Sequence, residues 1–306
     1  MATPRSPTDT EPDLATWDYF PRGSDGDFAR LIPLSRLARQ SFNCVIDTFS
    51  DDPSRMKHAR RFIHFEPTEP DDDDGDHDGR DNDAHVGRWC GYYRLNMDLL
   101  PNNPRLGWIV GSGRRDLPEE EVDFLLTPET KEFGVQGRHC RLYRNLQTGV
   151  LLIISDGRKV VLDGKDVLCR RLVKGTVGER TQPVHEYQRA LHGRTGVVVG
   201  DLNYIVEFTP LDEAVQQDQL AKARVQVGEG TSSTLFLSPT PSNPTYEYRG
   251  YVVYPVTSGG ITSAVAFAYS KATGRPVVIK KMKRGPKNYR AIEKEINMLR
   301  ALSHVS

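Results

Sequence analysis

No apolar run in this 306-residue chain approaches the roughly 20 residues needed to cross a bilayer. The opening residues, MATPRSPTDTEPD, contain no apolar stretch of the kind that starts a secretory signal. An excess of either charge is missing too. Lys+Arg and Asp+Glu both number 41, so bulk electrostatics favour neither nucleic acid nor an anionic membrane, and neither is expected as a partner. Cysteine is scarce and scattered, at Cys44, Cys90, Cys140 and Cys169, without a C-x-x-C pair. A zinc site needs clustered soft ligands, so no metal site is expected. Isolated thiols fit a reduced intracellular protein, nuclear or cytoplasmic. Apolar residues make up only 37% of the chain, low for one compact globule, and part of it is expected to stay unpacked.

What is present falls into blocks. Residues 1–30 are rich in Pro, Ser, Thr, Asp and Gly and read as disordered. Residues 31–85 read as poorly ordered, with a short helix or edge strand in LIPLSRLARQSFNCVIDTFS, a short strand in RRFIHF and an acidic loop at 71–83. In that loop Asp74, Asp76, Asp78 and Gly79 match the first half of a calcium loop. The twelfth position, which should hold a bidentate glutamate, is His85, so a solvated acidic loop is the reading.

From residue 86 to 210 the texture changes to short β-branched and aromatic runs punctuated by Gly, Asn, Asp and Pro. That is the pattern of a β-sandwich or barrel. In LNYIVEF, Tyr204, Val206 and Phe208 alternate with Ile205 and Glu207, as on a strand with two unlike faces. Residues 170–192 read as a polar insertion. Residues 211–245 read as a linker whose first stretch, LDEAVQQDQLAKAR, has little apolar face and reads as a solvent-exposed helix or as linker.

The last block, 246–306, orders its elements strand, Gly-rich loop, strand, Thr-Gly turn, strand ending in lysine, then helix. Small residues in TSGGITS let backbone N–H groups approach an anion closely. A lysine closing the apolar run PVVIK is costly to bury unless its ammonium meets an anion. In RAIEKEINMLRAL, Ile292, Ile296, Leu299 and Leu302 share one helical face, with Glu295 beside it.

This order resembles the start of the protein-kinase fold, with its G-x-G-x-x-G-x-V loop, V-A-I-K strand and helix glutamate. Anchored on Val265, the loop positions are Ser258, Gly260 and Ser263, with Gly259 adding freedom, and V-V-I-K spans 277–280 with Val278 in place of alanine. The resemblance implies an ATP site of Ser258, Gly259, Gly260, Ser263, Val265, Val278, Lys280 and Glu295. Lys280 would pair the phosphates and Glu295 would orient it. ATP and Mg²⁺ are implied as cofactors of a complete domain. The 306 residues contain neither H-R-D nor D-F-G. The chain as written is therefore expected to lack catalytic residues, to be inactive and to carry no cofactor. Its end at Ser306 is expected to be a boundary artefact.

The 86–210 block resembles a forkhead-associated (FHA) domain, through LGWIVGSGRR, VDFLL, GRHCRLYRN, VVLDG and GDLNYIVEFTPL. In that family, loops at one end of a sandwich clamp a phosphothreonine by G-R, S-x-x-H and N-G motifs. Arg114 follows Gly113 at the first, Gln136 takes the serine position of the second with His139 as its structural histidine, and Arg158–Lys159 replaces N-G. Arg114, Gln136, Arg138, Arg158 and Lys159 are the implied phosphopeptide ligands, facing repulsion from Glu119, Glu120 and Glu121.

The expectation is thus a mainly β chain: an FHA-like β-sandwich followed by a partial kinase N-lobe of antiparallel strands plus one helix. The domain order resembles checkpoint-type serine/threonine kinases. The implied activity is ATP-dependent phosphoryl transfer where the full domain exists. The implied partners are phosphorylated or unphosphorylated proteins. The alternative is a non-catalytic interaction module with a vestigial kinase segment.

Overall fold

The computed structural model describes residues 26–51, 57–68, 88–113, 122–128, 132–170, 186–228, 245–259, 263–283, 285 and 289–302. The acidic 71–83 loop with its half calcium motif lies outside them, as do Arg114, Gly260 and Glu119–Glu121. The chain is mainly β, and its first ordered element is earlier than the sequence pattern suggests. Strand β1 (Asp27–Pro33) sits inside a sheet, pairing antiparallel with both β3 (Trp89–Asn96) and β12 (Leu202–Phe208). The sandwich therefore begins at Asp27, not near residue 86. Six of the seven β1 residues are buried, so the strand shows no clean alternation for a pattern reader to find.

Helix α1 (Arg36–Asp51) follows at once, opened by Ser35, whose hydroxyl accepts the Ala38 N–H at 3.2 Å. Its buried Ala38, Phe42, Val45, Ile46 and Phe49 recur at helical spacing and face the core. Phe42 meets Tyr93 edge-on with ring centroids 5.4 Å apart. The segment expected to be poorly ordered is thus tied into the core by α1, by the single turn α2 (Lys57–Arg60) with its buried Ala59, and by β2 (Ile63–Pro67), which extends the sheet beyond β3.

The remaining strands close the sandwich. They are β4 (Trp108–Gly111), β5 (Phe124–Leu125), β6 (Cys140–Arg144), β7 (Leu151–Ser155), β8 (Val160–Leu162), β9 (Asp166–Leu168), β10 (Gln188–Ala190) and β11 (Thr195–Val199). One sheet has the order β2-β3-β1-β12-β11-β8-β9, the other β10-β7-β6-β4-β5. Trp108, Leu142, Leu151, Ile153, Leu162, Val197, Tyr204 and Val206 fill the space between them. On β12, Tyr204 and Val206 are fully buried.

Helix α3 (Glu213–Gln226) belongs to this unit and not to a free linker. Asp212 caps it, accepting the Ala214 N–H at 2.7 Å, and Leu220 and Ala223 join the sandwich core. The rest of its contact is polar. Gln219 donates to the Gly26 carbonyl at 3.0 Å, and Arg224 donates to the Leu146 carbonyl at 2.8 Å. A helix held through glutamine and arginine has no apolar stripe to advertise its burial.

The C-terminal unit is a four-stranded antiparallel sheet of β13 (Tyr246–Tyr248), β14 (Tyr251–Gly259), β15 (Ser263–Ser270) and β16 (Pro276–Met282), followed by α4 (Tyr289–Leu302). One end of this sheet packs on the outside of the sandwich. Val252, Tyr254, Phe267 and Tyr269 meet Tyr143, Leu152, Ile154 and Ala190 in one apolar cluster. The Ala190 N–H donates to the Lys271 carbonyl at 2.5 Å. At Gly274, with φ +65°, an added Cβ would stand 2.9 Å from the Leu152 side chain, so the turn also depends on glycine for its close approach. This docking explains the uninterrupted LLII of β7: Leu151 and Ile153 face inward, and Leu152 and Ile154 face the second sheet.

Candidate functional site

Two places gather the residues that the sequence singles out. The first is on the C-terminal sheet. Register pairs Val265 with Lys280 and Phe267 with Val278, so Val265, Val278 and Lys280 share the face that carries Phe267 and Tyr269. Phe267 and Tyr269 cover the sandwich end of that face, and Lys280 stands at the other end. Its ammonium lies 2.6 Å from Glu295 Oε1, bridging β16 and α4. Both side chains remain more than a third exposed, at 39% and 36%, so the pair contributes at most about 1 kcal/mol to folding. Its consequence is geometric: the ammonium is held over the open part of the sheet. Val278 beside it is 61% exposed and presents an uncovered apolar surface. On the backbone, Ser258 pairs with Val265 and Gly259 with Ala264, after a shift in register between Val253 and Ser258. Ser263 opens β15 opposite Met282.

The second place is one end of the sandwich. The Ser112 N–H donates to the Gln136 carbonyl at 2.9 Å, and the Gly113 N–H donates to the Gly137 carbonyl at 3.2 Å. At Gly111 a Cβ would fall 2.2 Å from the Gly137 carbonyl, which no side chain tolerates. This crowding seats the loop before β6 against the end of β4. His139 then ties that loop to the next one. Its Nδ1 accepts the Gln136 N–H at 3.4 Å, and its Nε2 donates to the Lys159 carbonyl at 3.1 Å. Only 2% of His139 is exposed, and burial pulls its pKa down from the ordinary value, with Arg158 adding to the effect and the Lys159 bond opposing it. A neutral imidazole is the form that accepts with one nitrogen and donates with the other.

The turn 156–159 is also held from within. Ser155 Oγ donates to the Arg158 carbonyl at 2.5 Å, and Arg141 Nε contacts both Asp156 carboxylate oxygens at 2.9 Å. Arg138, Arg158 and Lys159 are exposed beside these bonds, and Gln136 is half-buried. The sandwich mouth therefore brings together Gln136, Arg138, His139, Arg158 and Lys159 on a braced frame. Sequence reasoning missed Arg141 and Asp156, whose pairing needs the β6–β7 register to be seen. It also missed Ser112, a buried hydroxyl without a partner among the described residues, next to Gly113.

Among the described residues, no group of His, Cys, Asp and Glu is arranged to hold a metal ion. None of the described helices is long and apolar enough to cross a membrane.

Compared with protein-family profiles and with curated proteins, the sequence matches none. Among solved structures the chain is similar to "Crystal structure of Rad53 1-466 in complex with AMP-PNP", at 11% identity and a TM-score of 0.38. The match covers 94% of this chain and 53% of that one, so the chain spans about half the length of that protein's crystallised segment.

Proposed function

We propose that residues 246–306 are the beginning of a serine/threonine protein-kinase N-lobe, in which Lys280 receives the phosphates of ATP. The observation that carries this reading is the 2.6 Å contact between Lys280 and Glu295, joining a strand to the following helix. An exposed ion pair adds little stability, so its cost in side-chain entropy is better explained by a need to aim the ammonium. The donor set fits ATP: a fixed ammonium for phosphate, a small-residue turn close by in sequence, and the exposed Val278 as a platform for a ring. ATP supplies the transferable phosphoryl group, and this chain's own residues hold and orient it. An acyl-phosphate derivative of ATP tests the reading, because it acylates an amine held against the nucleotide. Lys280 should be labelled at least about tenfold more than Lys281, whose side chain belongs to the opposite face of the strand. Excess ATP should suppress the labelling, and Glu295→Gln should reduce it. Equal labelling of the two lysines, unaffected by ATP, would overturn the assignment.

A second reading concerns the sandwich: an FHA-like module that binds phosphorylated protein. It is favoured by the exposed Arg138, Arg158 and Lys159 at a mouth braced by His139. Two or three such cations suit a phosphothreonine dianion. A phosphothreonine peptide library should select ligands whose binding falls about tenfold or more in Arg158→Ala and is lost on dephosphorylation. Ligands indifferent to phosphate would turn the reading toward ordinary protein recognition.

A further inference from the structure

Strand register fixes which connections meet at the sandwich mouth. Val110 pairs with Cys140 and Cys140 with Ser155, so β4 ends, β6 starts and β7 ends there. In the other sheet Val160 pairs with Val199, Val199 with Leu202, and Tyr204 with Pro33. The starts of β8 and β12 and the ends of β11 and β1 therefore share that end. Asp27 faces Asn96 and Leu31 faces Tyr93, so β3 starts beside the end of β1. Pro67 pairs with Trp89, which brings the end of β2 there too. The β2–β3 connection thus leaves the sandwich at the same end as Arg138, Arg158 and Lys159. Helix α1 starts at this end as well, with Arg36 and Arg39 exposed. Against these cations stand Asp156, which Arg141 holds, and the exposed Asp201.

The β2–β3 connection contains the acidic segment. Residues 69–83, EPDDDDGDHDGRDND, carry nine carboxylates against one arginine, in a chain whose formal net charge is zero. The connection is pinned at its base, where the Thr68 N–H donates to the Arg88 carbonyl at 3.1 Å. With both ends held side by side, the 19 residues between can reach outward by about 30 Å, at about 3.3 Å per residue out and back. Across the sheet from β3 to β8 are four strand steps, about 19 Å in all at about 4.8 Å each. The basic turn 156–159, which leads into β8, is within that reach.

We infer that the basic mouth takes the chain's own acidic segment, residues 69–83, as its occupant when no other ligand is bound. The inference deepens the reading of this mouth as an anion-binding module and rests on it. Carboxylates offer a guanidinium or ammonium the same charge-assisted hydrogen bonds as a phosphate does. Tethering holds the segment at an effective concentration on the order of millimolar, so weak individual pairs suffice. A phosphothreonine places close to two charges on a single group and competes for the same cations. An unphosphorylated peptide has no such group to offer. The segment thereby sets a threshold that favours phosphorylated ligands over unphosphorylated ones.

The test is carbodiimide cross-linking of the full 306-residue chain, which joins carboxylates to amines that touch. Mass spectrometry should find Lys159 joined to an aspartate of 71–78 within one monomer. The product should fall at least about fivefold in about 0.5 M salt, which screens such pairs. Replacing Asp71, Asp72, Asp73 and Asp74 together by Asn should remove most of it. The same fourfold variant should bind phosphothreonine peptides about tenfold more tightly than the unaltered chain. Lys159 joined to nothing in the segment, or joined only between two copies, would overturn the inference. Peptide affinity unchanged in the variant would overturn it as well. A cross-link without any phosphopeptide binding, even in the variant, would support the docked segment and sink the phosphopeptide reading. Phosphopeptide binding without the cross-link would do the reverse.

Discussion

The sandwich and the C-terminal sheet are both antiparallel, yet they are stabilised in different ways. The sandwich closes two sheets and three helices over one core that runs from Phe28 to Ala223. Among the described residues, the C-terminal sheet buries Val253, Ala266 and Ala268 on its own second face, with Val277 and Ile279 partly covered. Its other face is buried where it leans on Leu152 and Ile154 of the sandwich. Large exposed apolar residues concentrate there as well: Tyr246, Tyr248, Val278, Tyr289, Ile296 and Met298. The difference teaches that the second unit owes part of its order to the first, while the first is complete without it.

The strongest way to break this comparison is to separate the parts. Residues 26–228 should unfold cooperatively alone, whereas 246–306 alone should show no cooperative melt by circular dichroism. A fragment limited to 86–210 should also fail, because it lacks the strand that joins β3 to β12. A cooperative 246–306 would erase the distinction. A smaller effect is expected from the contact between the units. Tyr269→Ala removes a fully buried ring from the docking cluster and should cost about 3 kcal/mol there. Hydrogen exchange should then accelerate about a hundredfold in β13–β16, while β1, β11 and β12 keep their protection. Equal acceleration in both sheets would mean that the two units open together.

The smallest effect is electrostatic. Glu247 accepts from Lys271 Nζ at 2.8 Å, and its Oε1 lies 2.7 Å from His192 Nε2. The Lys271 hydrogen bond holds its pKa below the ordinary carboxylate value, against the opposing pull of burial. A carboxylate with a depressed folded pKa contributes stability above its unfolded pKa and loses it as pH falls through the folded one. Docking of the second sheet should therefore weaken slightly on acidification below the ordinary glutamate range. In Glu247→Gln that acid-induced loosening, followed by exchange or limited proteolysis, should flatten. The carboxylate is 53% exposed, so solvent screening keeps the effect small.

How much of this was legible in the sequence depended on whether burial left a periodic trace. The strands of the late sandwich did, as Tyr204 and Val206 show. The strand–lysine–helix–glutamate order led directly to the contact between Lys280 and Glu295, and the histidine before β6 led to a bracing role at the mouth. Strand β1 left no alternating trace, because both of its faces are covered; the reading of a short helix or edge strand over 31–50 touched only its end, Leu31–Pro33. Helix α3 was hidden for the opposite reason: its buried side is built mostly from Gln216, Gln219 and Arg224, with Leu220 and Ala223 as its apolar members. Arg144 cannot be told from an ordinary strand-end arginine in the sequence, since only the facing sheet and helix reveal that it points inward. The LLII run of β7 did carry the docking signal, but an uninterrupted apolar run does not say what covers its second face.

The placement of β1 also governs how the chain can fold. The hydroxyl of Thr209 donates to the backbone carbonyl of Asp27 across 182 residues of sequence. On a ribosome, β1 emerges well before β12 and then waits, with one edge unpaired, until β12 has been made. Such distant pairings are slow to close, and an unpaired strand edge is a template for the wrong partner. The sandwich should therefore form late and all at once after synthesis passes β12. Folding yield should be limited by how well β1 is kept apart from other chains during that interval.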